Sequence, residues 1–379
     1  PAHPAVGAGT SWIGSGPMSE PITMAPDYAT ARRRFIDAAT AAGASLHHHP
    51  LPDRGPAGED LVIDVAVLGA PDAPTAVLVV SGTHGVEGFA GSLCQSAWLE
   101  DHAVTLPPAD VAMVFVHAIN PYGFAWVRRV NEGNVDLNRN FVDFDDLPEN
   151  EGYEEIAEAL APAAWSGPER ESADAALLDL LTTKGLGPVQ EAISAGQYRH
   201  PDGLFYGGTA PTRSHEVLHE IITDHLGGKE RVAVLDLHTG LGPWAEVELI
   251  TPEVPGTPAY DRAISWWGGQ VASNTAGKSV SSPLSGEWLN RLDDWLDGVE
   301  VTQVALEWGT VDAVTVLQAL RADNWLHVHG DPTGPDAPAI KAELRAAFAP
   351  DDPAWAAAVH QRFVEVLGNT LDALTTPQG

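Results

Sequence analysis

Two side chains that could share a metal ion lie three residues apart in the segment Ser81–Glu87, which reads S-G-T-H-G-V-E. His84 offers an imidazole nitrogen and Glu87 a carboxylate, and Zn²⁺ accepts both kinds of ligand. The segment follows the apolar run Ala76–Val80, which is typical of a buried β-strand. A hydrolytic zinc ion usually takes three protein ligands and a water molecule, so a third ligand is expected elsewhere in the chain.

Two further apolar runs lead into residues that could complete such a site. Val232–Leu237 is followed by His238, and Val301–Leu306 is followed by Glu307. In open α/β sheets, ligands collect at the carboxyl ends of the strands. His238 is therefore the candidate third ligand, and Glu307 is the candidate base that takes a proton from water.

Guanidinium groups lie between these segments in the chain. Arg128 and Arg129 come after the apolar run Val111–Val116, and Asn138 and Arg139 follow in the segment N-V-D-L-N-R-N-F. An arginine side chain can bind a carboxylate through two parallel hydrogen bonds. Two such groups near a metal site indicate an anionic substrate.

The ordered set of motifs resembles the M14 zinc carboxypeptidase superfamily, and in detail its DUF2817 branch. The motifs are H-x-x-E, N-P-x-G-F, R-x-N, D-L-N-R-N-F, D-L-H-T and L-E-W-G, and they extend over roughly Val62 to His329. The H-x-x-E motif alone is common by chance, whereas the complete set in this order is specific.

The resemblance implies one zinc ion bound by His84, Glu87 and His238. It also implies that Glu307 is the general base, which activates the zinc-bound water and then protonates the leaving amine. Asp236 lies two residues before His238 on the same predicted strand, so the two side chains face the same side of the sheet. Asp236 either orients a metal ligand through a hydrogen bond or pairs with an arginine.

The same resemblance implies roles in substrate binding. Asn138 and Arg139 would hold the terminal carboxylate of the substrate, and Arg129 would polarise the scissile carbonyl and stabilise the oxyanion. Arg128 is the alternative for that last role, because neighbouring side chains on extended backbone point to opposite sides.

One departure from the digestive carboxypeptidases leaves two activities open. Those enzymes carry a mobile tyrosine shortly before the catalytic glutamate, whereas here the preceding tyrosine, Tyr260, lies 47 residues before Glu307 (307 − 260), and Trp288 and Trp295 occupy the nearer stretch. The chain could be a carboxypeptidase-like enzyme for small peptides. It could equally be an N-acyl amino acid deacylase of the aspartoacylase or succinylglutamate desuccinylase type. A catalytically silent binding protein is disfavoured, because the ligands and the base are all present.

Composition excludes some partners. The 379 residues include 52 acidic and 20 basic ones, which gives a net charge of −32. This charge argues against nucleic acid and anionic membranes as partners.

The sequence contains no run of 18 apolar residues that would span a membrane. Cys94 is the single cysteine, so no intramolecular disulfide is possible, and a cytoplasmic location is expected. The oligomeric state stays open.

Strands that alternate with helices predict an α/β fold with a mixed, mostly parallel central sheet and helices on both faces. Residues 1–17 are interpreted as a vector-derived segment or a disordered leader, and residues 18–379 as a single catalytic domain. Residues 149–225 interrupt the order of the motifs and are predicted to form a largely helical insertion. Its loop Gly196–Gly208 is expected to line the site, with Tyr198, Arg199, Tyr206 or Arg213 as candidate substrate contacts. The histidine run His47–His49 is expected in a turn before Pro50.

Overall fold

The computed structural model describes residues 22–102, 107–276, 279 and 284–376. The segment predicted as a leader, residues 1–17, lies outside the described residues. The strands are β1 (Ser45–Arg54), β2 (Asp60–Leu68), β3 (Thr75–Ser81), β4 (Val111–His117), β5 (Arg231–Trp244), β6 (Val247–Thr251), β7 (Val271–Ser273) and β8 (Glu300–Gly309). Within the described part of the chain they form one sheet with the order β1-β2-β4-β3-β5-β8-β6-β7.

The sheet is mixed and mostly parallel, which confirms the predicted fold class. The central strands β4, β3, β5 and β8 run parallel to one another. β1 and β2 on one side and β6 on the other join by antiparallel pairing, and β7 is parallel to β6. Every residue of β3 and β4 is buried, so both faces of the centre of the sheet are covered. The continuous apolar sequence of these two strands is typical of such two-sided burial.

Thirteen α-helices are found among the described residues. They are α1 (Tyr28–Ala41), α2 (Gly88–His102), α3 (Pro121–Ala125), α4 (Glu151–Glu154), α5 (Ala157–Leu160), α6 (Pro168–Lys184), α7 (Leu186–Ser194), α8 (Arg213–Leu226), α9 (Pro258–Trp267), α10 (Leu292–Trp295), α11 (Ala313–Val328), α12 (Ala337–Phe348) and α13 (Pro353–Thr375). None of these helices is both long enough and apolar enough to cross a membrane.

The predicted histidine turn is wrong, because His47–His49 lies within strand β1. These residues pair with Val65, Asp64 and Ile63 of β2. A strand at the edge of a sheet needs few apolar side chains, so its sequence lacks the alternation by which strands are recognised. Its pairing with β2 supplies the stability instead.

The region between β4 and β5 packs on the same body as the sheet. Buried side chains of α4 to α7 share one apolar cluster with residues of α11 and α12. Among them are Leu177 on α6 and Ile193 on α7, which contact the cluster that includes Val316 of α11 and Phe348 of α12. These helices therefore form a wall above the carboxyl ends of the central strands.

Candidate metal centre

Three adjacent parallel strands bring the candidate chemistry to one edge of the sheet. His84 follows β3, His238 lies on β5, and Glu307 lies on β8 as the register partner of His238. Glu87 closes a short 3-10 turn that leads into α2. Because β3, β5 and β8 are neighbours in the sheet, side chains that are 223 residues apart in sequence (307 − 84) come to the same edge.

The loop that carries His84 and Glu87 is held tightly against the arginine segment. The backbone N–H groups of Gly85 and Val86 donate to the carbonyls of Arg129 and Arg128 at 3.0 and 2.7 Å. A Cβ atom at position 85 would lie 2.0 Å from the carbonyl carbon of Gly123, so only glycine permits this approach. The spacing H-G-V-E therefore has a steric reason as well as a chemical one.

His84, Glu87 and His238 converge into one buried group. Their ligand atoms all lie within 4.8 Å of one another. Nδ1 of His84 lies 2.9 Å from one oxygen of Glu87, and Nδ1 of His238 lies 3.0 Å from the other. Burial opposes ionisation of Glu87, but the charges of the two imidazoles outweigh it and hold the pKa of Glu87 below its usual value.

This donor set fits a zinc ion. Two imidazole nitrogens and a carboxylate are ligands that Zn²⁺ accepts, and three protein ligands leave a position for water or substrate. Both Nδ1 atoms face the carboxylate of Glu87, so a single ion between them could contact all three side chains. Among the described residues, this is the group of histidine, cysteine and acidic side chains that could hold a metal.

A buried aspartate lies near Nε2 of each histidine. Nε2 of His238 lies 2.6 Å from Asp236, which also accepts hydrogen bonds from Thr83 and the indole of Trp288. Nε2 of His84 lies 3.3 Å from Asp136. Such carboxylate–histidine pairs fix the ring orientation of metal ligands. Burial lowers the pKa of His238, but Asp236 and Glu87 reverse this and raise it well above its usual value.

The sequence offered a weak signal for Asp136. It opens the D-L-N-R-N-F motif, where only the two following polar residues were assigned roles. The residue is fully buried, and its carboxylate accepts hydrogen bonds from Nε of Arg129 at 2.9 Å and from the backbone N–H of Asn138 at 3.0 Å. Burial works against its ionisation, yet Arg129 and Arg139 keep its pKa well below the usual value.

The structure separates the two neighbouring arginines. The guanidinium of Arg129 contacts Asp136, Glu87 and His84, with one nitrogen 2.7 Å from Nε2 of His84. The side chain of Arg128 leaves in the other direction and forms a buried ion pair with Asp323 at 3.0 Å. Of the two candidates for polarising a carbonyl, Arg129 is the one beside the candidate metal ligands.

Asn138 and Arg139 lie next to the same site, but they differ in how their side chains are hydrogen bonded. The side-chain oxygen of Asn138 is buried and has no hydrogen-bond partner among the described residues. Arg139 is 1% exposed, and two of its nitrogens donate to the carbonyl of Ser194, at the end of α7, at 3.0 and 2.5 Å. Its NH1 donates to the backbone of Asn138 at 2.9 Å. Burial lowers the pKa of Arg139 from its usual value.

Glu307 lies in a setting that suits proton transfer. Burial, together with the nearby charge of Glu87, raises its pKa to about 7. The backbone N–H of Leu241 donates to one of its oxygens at 2.8 Å, which orients the carboxylate. A carboxyl group with a pKa near neutrality can both accept and return a proton.

Glu287 is a further acidic residue that lines the cavity. It precedes Trp288, and burial raises its pKa although Arg139 opposes that effect. It follows Gly286, which has a positive φ of 87°, and a Cβ atom at position 286 would lie 2.6 Å from the backbone of Arg139, so this position requires glycine. Its carboxylate also accepts a hydrogen bond from Asn274 at 3.2 Å, and no local sequence pattern indicates either contact. Part of the stretch that replaces the missing tyrosine, residues 281–283, lies outside the described residues.

A cavity of about 340 Å³ opens from this group. Its polar end is lined by the candidate metal ligands and by Arg129, Arg139 and Glu307. Its other side, here called the apolar wall, is formed by the large apolar side chains of α6, α7 and α11. The wall consists of Leu177, Leu178, Leu181, Leu186, Val189, Ile193, Val314, Val316, Leu317 and Leu320.

The two arginines proposed as substrate contacts in residues 149–225 are placed elsewhere. Arg199 pairs with Glu149, and Arg213 pairs with Glu216 and Glu220, all at exposed positions. Neither is among the described residues that line the cavity.

A family profile described as "Protein of unknown function (DUF2817)" matches residues 24–362. The chain belongs to this DUF2817 family. A search of curated proteins finds no match.

Solved structures similar to this DUF2817 chain include three hydrolases. A metallo-carboxypeptidase from Pseudomonas aeruginosa is 14% identical, with 90% of this chain and 68% of that chain covered and a TM-score of 0.42. The carboxypeptidase A from Helicoverpa armigera is 13% identical, with 85% and 74% covered and a TM-score of 0.41. A succinylglutamate desuccinylase from a Silicibacter species is 15% identical, with 75% and 67% covered and a TM-score of 0.35.

Proposed function

We propose that this protein is a zinc-dependent hydrolase that cleaves an amide bond next to a carboxylate-bearing residue. The observation that carries the proposal is the convergence of His84, Glu87 and His238 beside Glu307, at the polar end of a cavity. When bound, zinc would supply Lewis-acid chemistry that polarises a carbonyl oxygen and acidifies water. The residues around it have separate tasks.

Glu307 is the proposed general base and acid. With a pKa of about 7 it is partly ionised at neutral pH, so it can take a proton from the attacking water. The same carboxyl group then gives that proton to the nitrogen of the breaking amide. The hydrogen bond from Leu241 keeps the carboxylate in one orientation through both steps.

Arg129 is the proposed donor to the developing oxyanion. Its guanidinium is already fixed by Asp136 and Glu87, so little reorganisation is needed when a carbonyl oxygen gains charge. Preorganised donors of this kind stabilise such a transition state by about 3 to 4 kcal/mol. Arg128 has no part in this proposal, because Asp323 holds it.

Asn138 and Arg139 are the proposed contacts for the carboxylate of the substrate. The unpartnered oxygen of Asn138 lies in a polar pocket, and its amide group can turn to offer N–H donors instead. Arg139 adds a positive charge in a buried setting, where its attraction for an anion is weakly screened. This local positive charge offsets the repulsion of anions by a chain of net charge −32.

The same machinery suits two kinds of substrate. One is a small peptide with a free C-terminus, and the other is an N-acyl amino acid. In both substrates, the amino acid that supplies the nitrogen of the scissile amide also carries the free carboxylate. The large apolar wall beyond the metal ligands favours the second, because it gives room for a group that is not a peptide.

The first test is product analysis by mass spectrometry with zinc-loaded protein. The panel contains peptides with free C-termini, the same peptides amidated, and N-acyl amino acids, and Glu307→Gln is the matched control. We expect cleavage only where the carboxylate is free, with kcat lowered by about 100- to 10,000-fold in Glu307→Gln. Equal cleavage of the amidated peptides would rule out the carboxylate contact. A Glu307→Gln variant as active as the wild type would rule out the proposed base.

A further inference from the structure

The apolar wall is larger than the chemistry at the metal centre requires. Three helices contribute to it, with buried side chains such as Leu177, Val189 and Ile193 and partly buried ones such as Leu317. The wall begins beside the candidate metal ligands and the cavity is continuous with them. A ligand that fills this cavity is therefore polar at one end and apolar along the rest.

The wall extends to the surface of the molecule. Leu178, Leu186 and Val314 line the cavity and are 66%, 59% and 54% exposed. Exposed apolar side chains are ordinary when they are scattered singly. Here three of the five large apolar side chains found exposed in the described residues belong to one cavity, in a chain of high negative charge. Such clustering is typical of a binding surface.

Two of the polar side chains along this wall are hydrogen bonded within the protein. Asp174 accepts hydrogen bonds from Arg170 and Arg321, and the side-chain oxygen of Gln318 accepts from the same two arginines. An extended peptide laid here would bring backbone N–H and C=O groups against apolar side chains, and burying such groups unpaired is costly. A hydrocarbon chain carries no such groups.

We propose that the apolar wall binds the linear acyl chain of the substrate, so that the protein hydrolyses N-acyl amino acids of medium or long chain length. This inference rests on the amide hydrolysis proposed above. The water oxygen bonds to the acyl carbon, the carbon–nitrogen bond breaks, and the proton from water passes through Glu307 to the leaving nitrogen. The products are a free fatty acid and a free amino acid, and no further reactant is needed.

The kinetic test is a chain-length series. Acetyl, butanoyl, octanoyl and dodecanoyl derivatives of a mixture of amino acids are incubated with the zinc-loaded protein, beside peptides that end in large apolar residues. Each methylene group buried on the wall should raise kcat/KM by up to about fourfold. A kcat/KM that does not change with chain length would overturn the proposal. Faster cleavage of the peptides would also overturn it and would assign the wall to a peptide side chain.

Variants test whether the wall causes the preference. Leu178→Glu and Leu186→Glu alter exposed positions, so the fold should tolerate them. Each should lower the ratio of kcat/KM for the dodecanoyl over the acetyl substrates by about tenfold or more. Val254→Ser is the matched control, because Val254 is also exposed, at 55%, and does not line the cavity. An unchanged ratio in both glutamate variants would contradict the proposal.

A binding measurement separates this inference from the proposed reaction. Calorimetry with zinc-loaded Glu307→Gln compares N-octanoylglycine with N-acetylglycine. We expect binding of the octanoyl compound to be at least about 100-fold tighter, with a more negative heat-capacity change. If binding depends on chain length but the wild type hydrolyses neither compound, the acyl site is supported and the proposed reaction is wrong. If the wild type hydrolyses both compounds but the variant binds them equally well, the reaction is supported and the acyl site is wrong.

Discussion

Arg129 and Arg128 are neighbours in the sequence, yet they belong to two different buried clusters of charged groups. The first, the metal-site cluster, consists of His84, Glu87, Arg129, Asp136 and His238. The second, the structural cluster, consists of Arg128, Asn134, Asp323, His327 and Lys341. Both clusters are densely hydrogen bonded, but only the first lines the cavity.

The structural cluster satisfies its own charges. Arg128 donates to Asp323 and Asn134 at 3.0 and 2.9 Å, and Lys341 contacts Asp323, His327 and the backbone of Val127. Burial lowers the pKa of His327 to about 3, so this histidine is neutral. The cluster ties α11 and α12 to the loop after α3.

The metal-site cluster differs because it contains polar atoms that a metal ion or a substrate could bind. Two imidazole nitrogens point at one carboxylate, and the oxygen of Asn138 next to them has no partner in the described residues. Buried charge alone is therefore a poor sign of a functional site, because salt-bridge networks bury charge too. Lone pairs that converge beside a cavity are the better sign.

The largest difference between the clusters should appear on removal of a histidine. In His84→Ala or His238→Ala, loss of one of three ligands should abolish stoichiometric zinc binding and lower activity by about 1000-fold or more. Metal content by mass spectrometry and kcat/KM measure this. His327→Ala, from the structural cluster, should keep both. Full zinc content in His84→Ala would place the metal elsewhere.

The arginine pair tests the comparison directly. Arg129→Lys keeps the charge near Asp136 but loses the planar fork, and kcat should fall by about 100-fold. Arg128→Lys should keep kcat and lower the free energy of unfolding by about 1 to 2 kcal/mol, because its two-partner contact with Asp323 and Asn134 is lost. Steady-state kinetics and urea unfolding separate the two effects. An equal loss of kcat in both variants would contradict the assignment of Arg128.

Two asparagines offer a finer contrast. Asn138→Ala removes no side-chain hydrogen bond of the oxygen, so stability should hold while KM rises by about tenfold. Asn134 has a positive φ of 59° and donates to the carbonyls of Pro201 and Gly203. Asn134→Ala should therefore leave KM unchanged and lower the free energy of unfolding by about 2 kcal/mol. A raised KM in Asn134→Ala, together with a lowered free energy of unfolding in Asn138→Ala, would contradict both assignments. Steady-state kinetics and urea unfolding measure these two quantities.

A further prediction concerns the pH dependence of stability. Burial lowers the pKa of Lys341 from 10.5 to about 8, so between these values the unfolded chain binds more protons than the folded one. Stability contributed by Lys341 should then rise with pH across this window, by at most about 1.4 kcal/mol per pH unit. Lys341→Met should remove that slope in urea unfolding at pH 8 to 10. A wild-type slope identical to that of the variant would contradict the shifted pKa.

Much of the fold and the convergence at the site could be predicted from the sequence. Strand β3 is apolar from Ala76 to Val80, and β5 and β8 are largely apolar up to the residues before His238 and Glu307. The ends of these runs mark His84, His238 and Glu307 as candidates, and the order of the motifs along the chain then singles them out. Asp136 and Glu287 could not be assigned in this way, because their places depend on contacts between distant segments. Glu287 is positioned by Gly286, which packs against the backbone of Arg139, and by a hydrogen bond from Asn274.

The same limit explains two differences between what the sequence predicts and what the structure shows. Strand β1 carries histidines and prolines in place of an apolar alternation, and its identity comes from pairing with β2. The exposed positions of Arg199 and Arg213 follow from glutamates nearby that no motif marks. In both cases the outcome depends on contacts that form only in the folded chain, and a single sequence does not show these contacts.

The contact between Arg139 and Ser194 links the two ends of the cavity. Helix α7 carries Leu186, Val189 and Ile193 of the apolar wall, and its last carbonyl accepts hydrogen bonds from Arg139, the proposed contact for the substrate's carboxylate. A movement of α7 would therefore displace the hydrogen-bond partner of Arg139. If the proposed substrate occupies both places, thermodynamic linkage requires that any effect of the acyl chain on carboxylate binding is matched by an equal effect of the carboxylate on acyl-chain binding.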